Sequence, residues 1–290
     1  MGRLKREHEL LSIFKESRTN IILGPKGVGK TNITVAIMRL LVSLGFDVWT
    51  NIHFFDFDDV KEAISRKKLP SGVHYLRKPD EIHTISTLSE LLYGLLKPGM
   101  KAVFIDEAGI VSPTGTSKDT KTIKQLAYII RHFSCAFTLI TQVAGSVPPD
   151  LRENLVDYKL DIIKYKKIRS LQIGKRSVST DEDGEKYISF PIVKTIGHVP
   201  MANIAFDGKF PSTFEIDIDL KKTLDAFGKV KSSLELEKGK GKAILDKLTS
   251  KSKGEAIRRA KIKRATARLK RDKHGKFLPV DHSTEPLHDI

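Results

Sequence analysis

A single cysteine, Cys135, stands in the 290 residues of the chain, which excludes an internal disulfide framework and a cysteine-ligated zinc site. Cys135 falls between a helical pattern and an apolar run, so it is expected to be buried filler. Long apolar runs are missing as well. The best, Val35–Phe46, is interrupted by Arg39, and none reaches the ~18 residues a membrane-spanning helix needs. The N-terminal residues are charged and lack the apolar core of a secretory signal, so a cytoplasmic location is the expectation. No Asn-Lys-x-Asp guanine motif occurs. Positive charge is unevenly placed. From Lys221 onward 20 Lys and Arg face 9 Asp and Glu, which carries most of the net charge of +16 and predicts a basic appendage for a polyanion.

Against these absences stands Thr19–Thr31, TNIILGPKGVGKT. Ile21, Ile22 and Leu23 form the short apolar run of a buried parallel strand. It leads into Gly24-Pro25-Lys26-Gly27-Val28-Gly29-Lys30-Thr31, the phosphate-loop spacing G-x-x-x-x-G-K-[ST]. Chance would supply such a match in a chain of this length with odds of roughly 0.01 at average residue frequencies. The glycines let the backbone turn tightly and bring N–H groups to phosphate oxygens. Lys30 is expected to reach the β- and γ-phosphates, and the Thr31 hydroxyl to ligate Mg²⁺. A helix over Thr31–Val42 would aim its positive end at the phosphates, with Asn32 in its first turn.

A second motif, Lys101–Ile110 (KAVFIDEAGI), places a buried strand, Ala102–Ile105, before paired carboxylates. In a parallel sheet that strand end shares an edge with the phosphate loop. Asp106 is expected to hold Mg²⁺ and Glu107 to polarise the attacking water. A third apolar strand, Ala136–Ile140, runs into Thr141-Gln142. Gln142 stands where a side chain can contact the γ-phosphate or the lytic water; capping the strand is the plainer alternative.

Elsewhere the pattern predicts an amphipathic helix over Arg3–Ser17, a strand at Phe46–Thr50, and a helix at Val60–Ser65. A strand around Val73–Leu76 and helices at Ile85–Leu96 and Asp119–Phe133 are expected next. From Tyr158 to Ile218 short alternating runs predict strands at Leu160–Tyr165, Ser170–Ile173, Lys186–Ile192 and Phe214–Ile218, with a hairpin turn at Thr180–Gly184. Lys238–Lys242 (KGKGK) reads as a flexible linker. Arg258–Lys276 then holds 10 Lys and Arg against one acid, Asp272, and no aromatic before Phe277. Such a segment suits phosphate contacts and reads bases poorly, so double-stranded DNA is its expected partner. A solvated tail is the bland alternative. It lacks the large apolar face of a membrane-surface helix.

The phosphate loop, the Trp49-Thr50-Asn51-Ile52 strand end, FIDEAG, the Arg131-His132 pair, LITQ and Val147–Leu160 together resemble the FtsK–HerA group of P-loop ATPases. Its viral and plasmid branches and the zonular occludens toxin-like assembly ATPases are the nearer likeness, which covers about Thr19–Tyr165. The resemblance implies ATP and Mg²⁺ as cofactors and a homo-oligomer, usually a hexameric ring. In such rings an arginine from one subunit reaches the neighbour's γ-phosphate, and Arg131, Arg152 and Arg169 are the candidates. Pro25-Lys26 departs from the small residues common there, and the absence of lysine at the second loop position argues against a dimeric partition-type switch.

The expected fold is therefore an α/β three-layer P-loop NTPase, RecA/FtsK-like, with a mostly parallel sheet. A helix over 1–18 precedes the ATPase domain at 19–220, which includes a β-rich extension at 158–220, and a basic helical region follows at 221–290. The expected function is an ATP-driven motor that translocates or packages DNA. The alternatives are a phage assembly and export ATPase, or a nucleotide-gated DNA-binding scaffold with little turnover.

Overall fold

The computed structural model describes residues 12–14, 18–106, 125–130, 132–133, 135–142, 145, 147, 149–165, 168–197, 199, 203–207, 215–230 and 235–250. The apolar runs become the middle of one sheet. Strand β1 (Thr19–Leu23) is buried at all five positions and pairs in parallel with β5 (Ala136–Thr141) on one side and β6 (Tyr158–Tyr165) on the other. Beyond β5 lie β4 (Met100–Ile105), β2 (Phe46–Thr50) and β3 (Ile82–Thr84), all parallel. Beyond β6 lie β7 (Ile168–Lys175) and β10 (Ile192–Ile196), giving the order β10-β7-β6-β1-β5-β4-β2-β3. Of these eight strands only β7 runs against the others. A separate hairpin, β8 (Ser177–Thr180) with β9 (Lys186–Ser189), leaves the sheet between β7 and β10.

Strands buried on both faces need a layer on each side. On one side helix α1 (Lys30–Ser43) covers the sheet, packing Ile33, Ile37, Met38 and Leu41 with Ile22, Val48, Phe104 and Ile140. A short helix, α2 (Val60–Ser65), sits apart with Leu69 and Ala205. On the other side, Ile21, Leu23, Val103, Ile105 and Leu139 meet side chains from five separate stretches. These are helix α3 (Leu88–Leu95), residues 125–130, helix α4 (Pro149–Asn154), helix α5 (Leu220–Gly228) and residues 236–250. The three-layer α/β arrangement expected from the sequence is present. Helix α3 starts on a capping box in which Thr87 accepts from the Glu90 N–H.

Several local expectations differ from the structure. Val73–Leu76 forms no strand; Leu76 makes one isolated bridge to Ile204, and the strand beside β2 is Ile82–Thr84. Three residues are too few for periodicity to reveal them. Lys186–Ile192 is split by Phe190-Pro191 into β9 and β10. At 215–218 only a bridge from Glu215 to Thr87 forms. Lys238–Lys242 is no linker: the chain is helical through it with a kink, Gly239 taking φ 107°. Leu236 and Leu245, both buried, anchor it on either side, so tertiary burial overrides the composition. Cys135 is buried as expected, and burial pushes its thiol far up. Of the N-terminal helix only residues 12–14 are described; Arg258–Lys276 lies outside the described residues.

Candidate nucleotide site

The site grows from the C-terminal ends of β1, β5, β4 and β2. After Leu23 the chain turns through Pro25, Lys26 and Gly27, all exposed, and Val28 N–H donates to the Pro25 carbonyl at 3.3 Å. Gly27 and Gly29 have φ of 77° and 94°, a left-handed backbone that disfavours any Cβ. Gly29 is the N-cap of α1, and its carbonyl accepts from Ile33 N–H at 3.0 Å. Gly29 offers no capping side chain, and the first turn of α1 points its backbone N–H groups toward the loop, the arrangement that suits an anion. Lys30 Nζ bends back to donate to the Pro25 carbonyl at 3.2 Å, which holds its charge over the loop.

Thr31 Oγ1 donates to Asp106 Oδ2 at 2.9 Å, joining the loop to the end of β4. Asp106 is 6% exposed. A hydroxyl and a carboxylate at this separation are hard oxygen donors of the kind Mg²⁺ takes, so the residues present fit that ion. Asp106 is itself held by a residue to which sequence reasoning gave no role. Asn51 Oδ1 accepts from Asp106 N–H at 2.7 Å, and Asn51 Nδ2 donates to the Asp106 carbonyl at 3.1 Å. Regular β2–β4 pairing ends at Thr50–Phe104, and the fully buried Asn51 amide supplies one more rung through its side chain. The signal was present: Asn51 is a polar residue directly after an apolar strand, the same cue that singled out Gln142.

Because β5 lies between β1 and β4, the strand carrying Gln142 ends between the phosphate loop and Asp106. Thr141 pairs with Leu23, which leaves Gln142 one residue beyond, exposed at this edge. Arg169, at the start of β7, donates from Nε to the Val28 carbonyl at 2.8 Å, and its guanidinium lies against Gly29. It thus touches the loop of its own chain. Arg152 sits on α4, across the sheet from α1, beside Glu153 at 3.4 Å. The structure therefore brings Lys30, Thr31, Asp106 and Arg169 together and places Arg152 elsewhere. Glu107 and Arg131 lie outside the described residues.

A central parallel strand that ends in this loop, with threonine and aspartate facing each other across it, defines the class as a P-loop NTPase fold. No protein-family model and no curated protein matches the chain. Among solved structures it is similar to the N-terminal domain of zonular occludens toxin from Neisseria meningitidis, at 19% identity and a TM-score of 0.34, over 60% of this chain and 94% of that one. A second solved structure, the ATPase domain of another protein, is similar at 11% identity and a TM-score of 0.39, over 66% of this chain and 86% of that one. Among the described residues no helix is long and apolar enough to cross a membrane.

Proposed function

We propose that the protein is an ATP hydrolase of the FtsK–HerA type that moves or packages DNA as a homo-oligomer. The observation that carries the nucleotide part is the Thr31–Asp106 hydrogen bond, which links two motifs across 75 positions of sequence. Loop N–H groups and Lys30 bind the phosphates. Thr31 and Asp106 would hold Mg²⁺, which would supply neutralisation of the phosphate charge. Asn51 keeps Asp106 in place through its backbone. Glu107 accepts a proton from the attacking water, Gln142 orients that water or the γ-phosphate, and an arginine stabilises charge on the transferring group. Arg169 acts on the loop of its own chain, which leaves Arg131 and Arg152 as the candidates for reaching a neighbour. DNA binding rests on the basic segment Arg258–Lys276 and on the excess positive charge.

The experiment is ATP turnover with and without double-stranded DNA, for the wild type and for Glu107→Gln. The reading expects turnover that DNA stimulates, and a Glu107→Gln chain that binds ATP without cleaving it. Near-normal turnover in that variant would remove the catalytic assignment, and indifference to DNA would remove the motor. Deleting Lys251–Ile290, which spares the helical stretch that packs Leu245 into the core, should also flatten the log–log salt dependence of DNA affinity, by about 0.9 per lost phosphate contact.

A further inference from the structure

A cavity of about 620 Å³ opens on the face of the sheet opposite α1. Ile21 and Leu23 of β1 form its floor, so the strand that carries the phosphate loop is shared by both sites. One wall is α4 with Arg152 and Glu153; the other is β9 with Lys186, Tyr187 and Ile188, continued by Phe190. Arg176, just before β8, ties the root of the hairpin to the α4 side: its Nε donates to the Glu153 carbonyl at 2.9 Å and its N–H to the Asp157 carbonyl at 2.9 Å. Lys159 enters from β6 and pairs with Asp161 at 3.0 Å. Three cations thus line the cavity against the one carboxylate of Glu153. Lys186 makes no ion pair with a carboxylate among the described residues. Tyr187 lines the cavity while 55% exposed, an aromatic ring left open to stacking.

We infer that this cavity is a second binding site, for a nucleotide unit whose base lies against Tyr187 and the apolar floor and whose phosphate meets Lys186 and Arg152. The size suits a small-molecule site rather than a packing defect. Aromatic rings beside cations are the means by which proteins hold single-stranded nucleic acid without reading sequence. An acidic peptide fits less well. It could pair with the outer edge of β9, which bonds only to β8, but it offers no base to lie against Tyr187. The unit can come from a free mononucleotide or from a single DNA or RNA strand. This inference deepens the nucleic-acid part of the reading above and does not depend on hydrolysis at the phosphate loop.

The test uses the full chain carrying Lys30→Ala, which silences the phosphate loop, with and without Lys186→Glu or Tyr187→Ala. One arm measures AMP binding by equilibrium dialysis. The other irradiates a short single strand containing 5-bromodeoxyuridine and maps the crosslinks by mass spectrometry, which separates this site from strand held by the basic tail. The inference expects AMP affinity to fall about tenfold in either variant, crosslinks at Tyr187 or Phe190 that Lys186→Glu removes, or both. AMP alone would assign a free nucleotide, and crosslinks alone a strand. It is overturned if AMP binding is absent or unchanged and no crosslink falls within 186–190. It is equally overturned if polyglutamate binds the wild type and Tyr187→Ala alike and displaces AMP, because the surface would then be merely cationic. Both exposed positions lie on a hairpin outside the core, and matched thermal unfolding curves control for folding. Loss of turnover in Lys30→Ala alongside retained AMP binding separates this result from the fate of the ATPase reading.

Discussion

The two faces of the sheet are built in opposite ways. Under α1 the main cover is a helix that follows β1 directly, so strand, loop and helix are consecutive in the chain, and Ile13, Phe14 and Ile204 add to it. The other face is closed by five stretches drawn from residues 88 to 250, and its last part arrives from the far end of the described chain. The phosphate loop, Thr31 and Lys30 belong to the local unit. What the contrast teaches is a division in how the two faces are assembled: the strand ends beside α1 carry the loop and the Thr31–Asp106 bond, and the other face is held by long-range packing.

The comparison is tested hardest by Asp106→Asn. The carboxylate contacts Thr31 at the mouth of the site and has little packing to lose, so turnover should fall about a hundredfold or more while the unfolding temperature stays near that of the wild type. A large loss of stability would blur the division. Glu237→Ala probes the other side. Lys101 Nζ, its side chain 1% exposed, pairs with Glu237 Oε1 at 2.6 Å, fixing the C-terminal helical stretch to the start of β4. Removing one partner should cost about 3–5 kcal/mol in denaturant unfolding and leave the ATP dissociation constant unchanged.

Smaller effects sharpen the same contrast. Gly94 of α3 lies against the Trp49 indole, and an added Cβ would overlap its ring nitrogen. Gly94→Ala should therefore destabilise by about 1–3 kcal/mol in chemical denaturation. The smallest change is Asp219→Ala, which removes the N-cap of α5, where Asp219 Oδ1 accepts from Lys222 N–H at 3.0 Å; about 0.5–2 kcal/mol is expected. That N–H, and then the Lys222 side chain, hold the Asp219 carboxyl below its ordinary value against the opposing effect of burial. A depressed pKa stabilises above the unfolded value and ceases to do so as pH falls through the folded one. The difference between wild type and Asp219→Ala should thus be full near neutrality and vanish in acid, read from paired unfolding curves.

The same division explains what could be seen in the sequence. The phosphate loop, β1, α1, β2 and β4 announce themselves because motif and periodicity act over a few consecutive residues. The sheet order, which sets β5 between β1 and β4, follows from pairings between strands far apart in the chain and leaves no local trace. Asn51 was visible as a residue and invisible as a function, since its partner is a backbone 55 positions away. Arg169 was visible as a cation, but only the β6–β7 pairing brings it to Val28. Lys238–Lys242 misled because glycine and lysine signal a linker unless buried leucines on both sides hold the chain down.

The central claim is that Lys30, Thr31 and Asp106 make a magnesium-dependent nucleoside triphosphate site. Calorimetric titration of ATP into the wild type and into Thr31→Val, each with Mg²⁺ and with EDTA, tests it most directly. Thr31→Val keeps the shape of the side chain and removes the hydroxyl that bonds Asp106. The account predicts tight binding by the wild type only when Mg²⁺ is present, and little difference between Mg²⁺ and EDTA for the variant. ATP affinity indifferent to Mg²⁺ in the wild type, or a magnesium effect that Thr31→Val leaves intact, would contradict it.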